Sequence, residues 1–350
     1  MKALVLGRGK SGEAAAALLR SRGAEVAFAD GYDLVVASPG LAVKSELQLG
    51  CEELKRRGVK MLAVTGSKGK SSVVKLVADA LGGVPCGNYG LPVSEVGETR
   101  WAVVEVSSFM LETTALAPDT FEAAAILNLQ EDHLDRHGSA EVYHALKRRL
   151  LTMTRHPIEP PVDAAVPEQA KGSYFDNEIL GGNAAVAIEL MRAAGLDDAA
   201  IRAAFLGFVP LPHRMNLVAE LDGVRYIDDS KATSIAALVA GIRMSASDGR
   251  NVRLIAGGLL KGDDPKVACA ILTKRVKKVY LIGQGAETLS SAWSGAADCE
   301  ICGTMQKAVE SAKREAVKGE TVLLSPGAAS FDQFKSFGER GDVFADLIKR

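Results

Sequence analysis

A chain of 350 residues with 42 lysines and arginines against 43 aspartates and glutamates carries a formal net charge of −1, so it shows no electrostatic footprint for nucleic acid or an anionic membrane, and small-molecule chemistry is the better expectation. The chain is long enough for two or three domains with cores of their own, and no apolar run approaches the ~20 residues that cross a bilayer. Five cysteines, an odd number in a chain without a cationic-then-apolar leader, fit a reduced cytoplasmic setting better than a disulfide framework.

In chain order, Lys2–Leu6 reads as a strand, followed by Gly7-Arg8-Gly9-Lys10-Ser11-Gly12, an alanine- and leucine-rich helix to Arg22, and a second strand Val26–Ala29 ending at Asp30. That is a G-x-G-x-x-G between strand and helix with an acid about twenty positions on, the dinucleotide-type fingerprint. A third strand, Leu34–Ala37, runs into the turn Ser38-Pro39-Gly40, at a strand's carboxyl end, where such sheets take ligands. The unit ends near Gly58. It is too short for a full Rossmann domain, so a mononucleotide or nucleotide-sugar diphosphate is its expected ligand.

Met61–Val64 reads as a buried strand, and Thr65-Gly66-Ser67-Lys68-Gly69-Lys70-Ser71-Ser72 leads from it into a helix stopped by Gly82-Gly83. Glycines there let backbone N–H groups converge on phosphate oxygens at a helix N-terminus. Lys70 would reach the outer phosphates and Ser71 would offer a hydroxyl to Mg²⁺. Val64 stands where the general pattern has its first glycine, so the match is to the shorter TGxxGKS form.

Past the loop Gly87-Asn88-Tyr89-Gly90 comes a strand, Trp101–Val106. Glu105 sits inside it, where a carboxylate is costly unless paired or bound to a cation; it is a metal candidate. The strand Ala123–Asn128 ends at Gln130-Glu131-Asp132-His133-Leu134-Asp135, an ionisable cluster whose alternative reading is a solvated loop with a helix-capping aspartate. Tyr143–Lys147 is helical, the proline-rich stretch 154–167 reads as loop, and helices follow over Ala184–Ala194 and Asp197–Phe205.

A third unit opens at Pro210-Leu211-Pro212-His213-Arg214. Met215–Glu220 and Val224–Ile227 alternate as a hairpin around Asp222-Gly223, and Asp228-Asp229-Ser230-Lys231-Ala232-Thr233 ends its second strand. Strands Val252–Ala256, Val279–Ile282 and Thr321–Leu324 alternate with helices, a further α/β sheet. Its strand-end loops carry Gly257-Gly258-Leu259-Leu260-Lys261, Gly283-Gln284-Gly285 and the run from Ser325-Pro326-Gly327 to Phe337. The lone pair Cys299-x-x-Cys302 reads as buried thiols; no second pair or histidine cluster accompanies it to make a zinc site.

Taken together and in order, these motifs make the chain similar to the Mur ligase family, which adds amino acids to the peptidoglycan precursor. The Asp-Ser-Lys-Ala-Thr and Ser-Phe-Asp-Gln-Phe-Lys stretches resemble the branch that adds D-glutamate. The resemblance implies three α/β domains. These are a short Rossmann-like unit (1–58) for the UDP precursor, a central P-loop ATPase-like parallel sheet (59–209) for ATP, and a carboxyl-terminal Rossmann-like unit (210–350) for the amino acid.

It implies a monomeric cytoplasmic enzyme whose small-molecule substrates are ATP, UDP-N-acetylmuramoyl-L-alanine and D-glutamate, with no nucleic-acid or membrane partner. ATP would phosphorylate the precursor carboxylate, and the amine would then displace phosphate. By the same resemblance Gly66, Ser67, Lys68, Gly69, Lys70, Ser71, Ser72 and Asn88 bind ATP, and Arg214, Asp229 and Lys231 reach it when the domains close. Ser71, Glu105, His133 and a carbamylated Lys147 hold two Mg²⁺ ions, with Lys70, Lys147 and His133 the catalytic group. A carbamylated lysine must first be a neutral amine, so desolvation or nearby cations should depress its pKa. Thr233, Lys261, Ser330 and Phe337 fall on the D-glutamate pocket, and Ser11, Asp30, Ser38, Pro39 and Gly40 on the UDP side.

The chain departs from the family pattern at Lys68, where asparagine is usual, at Leu259-Leu260 before Lys261, and at Gly31-Tyr32 after Asp30. It is also short for the family, trimmed after Asp30 and between about 154 and 180. A ligase for another amino acid, a folylpolyglutamate-type enzyme and a non-catalytic nucleotide-binding protein are the rivals. An NAD-dependent oxidoreductase would rest on the first glycine turn alone.

Overall fold

The computed structural model describes residues 1–30, 43–160, 165–177, 180–245 and 249–350. The expected strand Leu34–Ala37 and the turn Ser38-Pro39-Gly40 lie outside them. The chain forms two compact units, Met1–Phe208 and Val209–Arg350.

The first unit begins with strand β1 (Lys2–Leu6), helix α1 (Lys10–Ser21) and strand β2 (Glu25–Ala29), the two strands pairing in parallel. Helix α2 (Glu46–Arg56) starts on Ser45, whose hydroxyl accepts the Gln48 N–H, a capping bond that satisfies one of the helix's unpaired donors. Strand β3 (Lys60–Thr65), helix α3 (Lys70–Leu81), strands β4 (Val84–Gly87) and β5 (Trp101–Glu105), helix α4 (Ser108–Thr113) and strand β6 (Ala123–Ile126) follow. Helices α5 (Leu134–His137) and α6 (Ala140–Arg148), the short strand β7 (Pro157–Ile158), and helices α7 (Gly181–Ala193) and α8 (Asp198–Leu206) complete the unit.

Among the described residues β4-β5-β3-β6-β7 make a parallel sheet in that order. Apart from Lys60 at the start of β3, its inner strands are buried throughout, as a parallel sheet covered on both faces requires. One core cluster joins Leu47 and Leu54 of α2 to Met61, Ala102, Val104 and Leu111. Within 154–167, read from the sequence as loop, Pro157–Ile158 adds β7 to the sheet edge beside Ala124 and Ala125.

The second unit opens with strands β8 (Asn216–Leu221) and β9 (Val224–Asp228), antiparallel across Asp222-Gly223. Both turn residues have positive φ, 52° and 73°, the requirement of a two-residue hairpin whose twist matches its strands. Helix α9 (Ile235–Ser245), strand β10 (Val252–Gly257), helix α10 (Cys269–Arg275), strand β11 (Val276–Ile282), helix α11 (Ala286–Trp293), strand β12 (Asp298–Gly303), helix α12 (Met305–Glu315), strand β13 (Thr321–Leu324) and helix α13 (Phe337–Lys349) follow. The sheet order is β12-β11-β10-β13-β9-β8.

Strand β12, not foreseen from the sequence, carries both cysteines of the C-x-x-C. Positions three apart on a strand face opposite sides, and Cys299 joins the cluster around Trp293 while Cys302 joins that around Tyr280 and Phe344. Burial pushes their thiols up to about 11 and about 12. No helix among the described residues is long and apolar enough to cross a membrane.

Candidate active site

The site in the first unit is built on the turn from β3 to α3. Gly66 and Gly69 have φ of +148° and +83°, and a Cβ on Gly69 would lie 2.1 Å from the Asn183 side-chain nitrogen. Only glycine fits there. Gly69 caps α3 without a side-chain acceptor, so the first N–H groups of the helix remain available to an anion. Lys70 Nζ donates to Gly66 O at 2.8 Å and Ser67 O at 3.2 Å, lying back along the turn.

Two asparagines that the sequence reading left out hold this turn. Asn128, just past β6, accepts the Lys68 N–H and donates its own amide to Lys68 O and to Asn183 Oδ1, each at 2.9 Å. Ser67 is tied in the same way, its hydroxyl donating to Gln130 O and accepting the Gln130 N–H at 2.9 Å. The turn is thus clamped from β6 and α7 before any ligand arrives, the preorganisation that phosphoryl transfer uses.

Lys147, on α6, is 1% exposed. Its ammonium donates to Gly66 O at 2.9 Å and lies 4.6 Å above the centre of the Tyr143 ring, while Tyr143 Oη sits 3.2 Å from Ser67 Oγ. Burial, and after it the charge of Lys70, pull its pKa down to about 7 against the pull of Asp132 and Glu105. The neutral amine expected at this position is therefore accessible near neutrality.

Glu105 ends β5 and is 2% exposed. Its Oε1 accepts from Asn88 Nδ2 at 2.7 Å, and its Oε2 is buried without a hydrogen bond. Such an atom is costly unless a cation completes it. Asn88 is placed for that contact by its own N–H, which donates to Glu105 O at 2.9 Å. No group of three or more His, Cys, Asp or Glu side chains able to hold a metal converges among the described residues.

Asp132 is within 3.3 Å of Lys68 Nζ; burial raises its pKa, but Lys68 and His133 outweigh that and hold the carboxyl below its usual range. His133 has φ +53° and packs edge-on to Phe109 with centroids 5.2 Å apart. His137, one turn on, is buried between Ser108 Oγ at 3.0 Å and Glu112 at 3.3 Å. Ser11 and Asp30 are exposed, and Asp30 lies 3.6 Å from Arg8. Lys10 reaches across to Gly90 O, joining the first glycine turn to the Asn88 loop.

In the second unit the predicted residues gather at the carboxyl ends of the strands. Lys231 Nζ lies 4.0 Å above the Phe337 ring, and the Lys231 N–H donates to His213 O at 3.0 Å. His213 has φ +61° and its Nδ1 is 2.7 Å from Asp228 Oδ2. Arg214 is fixed through its backbone N–H to Asn216 Oδ1 at 2.9 Å.

Asp229 is buried and accepts from Ser325 Oγ at 2.9 Å; burial pushes its pKa up to about 7. Ser330 is buried in a turn, its carbonyl accepting from Gln333 and Phe334. Thr233 is half-buried, and Lys261 is exposed on the loop after β10.

The Mur ligase middle domain matches residues 64–158 and the Mur ligase glutamate ligase domain residues 213–327. The UDP-N-acetylmuramoylalanine–D-glutamate ligase of Acidobacterium capsulatum is 33% identical over 451 aligned positions, covering 99% of this chain and 96% of the relative. The chain belongs to the Mur ligase family. The enzyme of the same name from Myxococcus xanthus is 32% identical to this Mur ligase, covering 99% and 98% of the two chains. An alignment of 451 positions exceeds the 350 residues present, so the relative carries segments this Mur ligase lacks.

Among solved structures, the MurF ligase of Thermotoga maritima in complex with ADP superposes with a TM-score of 0.67 at 17% identity, covering 100% of this Mur ligase and 95% of that chain. The UDP-N-acetylmuramate–alanine ligase MurC of the same organism gives 0.63 at 16%, with 100% and 99% covered. These two share the α/β fold.

Proposed function

We propose that this Mur ligase joins D-glutamate to UDP-N-acetylmuramoyl-L-alanine, converting ATP to ADP and phosphate through an acyl phosphate. The observation that carries the reading is the grouping of a buried carboxylate oxygen without a hydrogen bond (Glu105) and a buried lysine with a depressed pKa (Lys147) around a clamped phosphate turn. The full-length likeness to D-glutamate ligases supports the choice of substrates.

A precursor carboxylate oxygen attacks the γ-phosphorus and ADP departs. The amine nitrogen of D-glutamate then attacks the acyl carbon, phosphate leaves with the bridging oxygen, and the nitrogen gives up its proton. Carboxylate and triphosphate repel each other, so the protein's task is to bring them together and neutralise their charge. The N–H groups from Gly66 to Ser72 cradle the phosphates, and Lys70 swings from Gly66 O to the β/γ oxygens. Lys68 adds a second cation at the rim, and Asn88 lines the nucleotide side.

Ser71, Glu105, His133 and a carbamylated Lys147 are the residues that would hold Mg²⁺, which when bound screens the phosphate oxygens. Few protein ligands with substrate phosphates supplying the rest is how this ion binds, and it agrees with Glu105 being, among the described residues, the one buried acid at the turn. Lys147 as a free amine adds to CO₂, forming an N–C bond and releasing a proton, and so presents an anionic oxygen in place of an ammonium.

From the second unit, Arg214 and Lys231 are assigned to the ATP phosphates, and Asp229 to the nucleotide side through the loop it anchors. Thr233, Lys261, Ser330 and Phe337 are assigned to D-glutamate, whose two carboxylates need a cation and hydroxyl donors. Ser11, Asp30 and residues 38–40 are assigned to UDP. The test is phosphate release with ATP, Mg²⁺, bicarbonate and both substrates. Release should require D-glutamate and the precursor together; equal turnover with L-lysine or L-glutamate, or none with the full mixture, overturns the assignment.

A further inference from the structure

Arg340, in the first turn of α13, is 1% exposed, and burying a guanidinium is costly unless its fixed fork of donors is well used. Its Nε donates to Ser230 Oγ at 2.9 Å, its Nη2 to Ser230 O at 2.8 Å and its Nη1 to Ala328 O at 3.1 Å. A Cβ on Gly258 would come within 3.3 Å of the same Nη1. One planar cation therefore bonds to the loops that follow β9 and β13 and fills the space a side chain at Gly258, after β10, would need.

Ser230 relays the contact. Its hydroxyl donates to Phe337 O at 2.8 Å and its N–H to Asp228 Oδ1 at 2.8 Å. Asp228 in turn meets His213, whose carbonyl accepts the Lys231 N–H. Lys231 and Phe337, stacked on each other, thus share one anchor, and Ser330 stands two residues from Ala328.

We propose that Arg340 is a positioning residue: by tying Ser230 to Ala328 it sets the mutual placement of Lys231, Ser330 and Phe337 on which binding of the acidic amine substrate depends. The inference rests on the assignment of D-glutamate to this unit.

Arg340→Lys keeps the charge but offers one nitrogen, which cannot serve two residues of different loops along the fork's directions. In the full-length protein the KM for D-glutamate should rise about tenfold, the effect of losing one charge-assisted hydrogen bond, with kcat changed less. Ser230→Ala should act in the same direction, and the double variant should be no worse than Arg340→Lys, since both break one node.

Hydrogen exchange followed by mass spectrometry should show the stretches 228–234 and 326–337 exchanging faster together in Arg340→Lys, with residues 60–81 unchanged. A KM for D-glutamate within twofold of the parent, additive effects, or unchanged exchange in both stretches overturns the proposal. If the parent itself shows no D-glutamate-dependent turnover, the assignment of the substrate falls, and the exchange measurement still decides whether Arg340 holds the loops.

Discussion

Lys147→Met keeps the reach of the side chain and removes its charge, so it isolates what burial of that charge costs. The parent lysine titrates at about 7 in the folded chain against an ordinary 10.5. Below about pH 7 both folded and unfolded lysine are protonated and the whole cost of the buried charge stands; between about 7 and 10.5 the folded form sheds its proton first, and stability climbs with pH.

That span, at about 1.4 kcal/mol per pH unit, sets an upper bound of about 5 kcal/mol. Methionine forfeits the hydrogen bond to Gly66 O, worth about 1 kcal/mol. The variant should therefore be more stable than the parent by about 3–4 kcal/mol near pH 6, and the two should converge near pH 10. Urea unfolding in bicarbonate-free buffer reads both values, and the same variant, lacking an amine for CO₂, should not ligate. A stability difference that does not change with pH would refute the claim that desolvation depresses this amine.

Glu105→Gln removes the charge at the unpartnered Oε2; ligation should fall on the order of 100-fold and ADP affinity should lose its dependence on Mg²⁺, measured by calorimetric titration with and without the ion. Gly69→Ala forces a Cβ into the Asn183 amide at a φ of +83°. The backbone strain alone is about 1–2 kcal/mol, and a lowered melting temperature with weakened ADP binding is expected; unaltered ADP affinity would show that the Asn183 contact does not shape the turn. Asp229, raised from 3.8 to about 7 by burial, lends stability that is complete below about pH 4 and lost as pH rises through about 7. Asp229→Asn should therefore gain on the parent between those values, and paired melting curves at the two ends check it.

The glycine turn after β3 and the buried Glu105 carboxylate were legible because each breaks a local rule in a telling way. Gly-Lys-Ser directly after an apolar strand has few structural uses, and an acid such as Glu105 among valines needs a partner. The hairpin at Asp222-Gly223 was legible because its turn chemistry is local. Asn183 was not: it stands just before the helix expected from Ala184, in no motif, and its partner Asn128 is 55 positions away. Strand β12 was hidden by Asp298 and Glu300, and Glu300 is accommodated by a 2.8 Å ion pair with Lys278 that no window of sequence contains. Arg340 carries no motif, and only the folded loops that hold Ser230 and Ala328 give it a site to fill.

Strand β6 is Ala-Ala-Ala-Ile, and α7 sets Ala184 and Ala187 in the core as well, all of them fully buried. Helix α7 lies against both β6 and α3, so methyl groups fix how near its backbone comes to the sheet, and hence where the Asn183 amide sits beside Gly69. A larger side chain at Ala184 or Ala187 would cost about 1–3 kcal/mol through overpacking, which a unit of this size survives, but it would lever the amide off the glycine. Drift in this lining would surface first as poor handling of nucleotide in an otherwise well-folded protein.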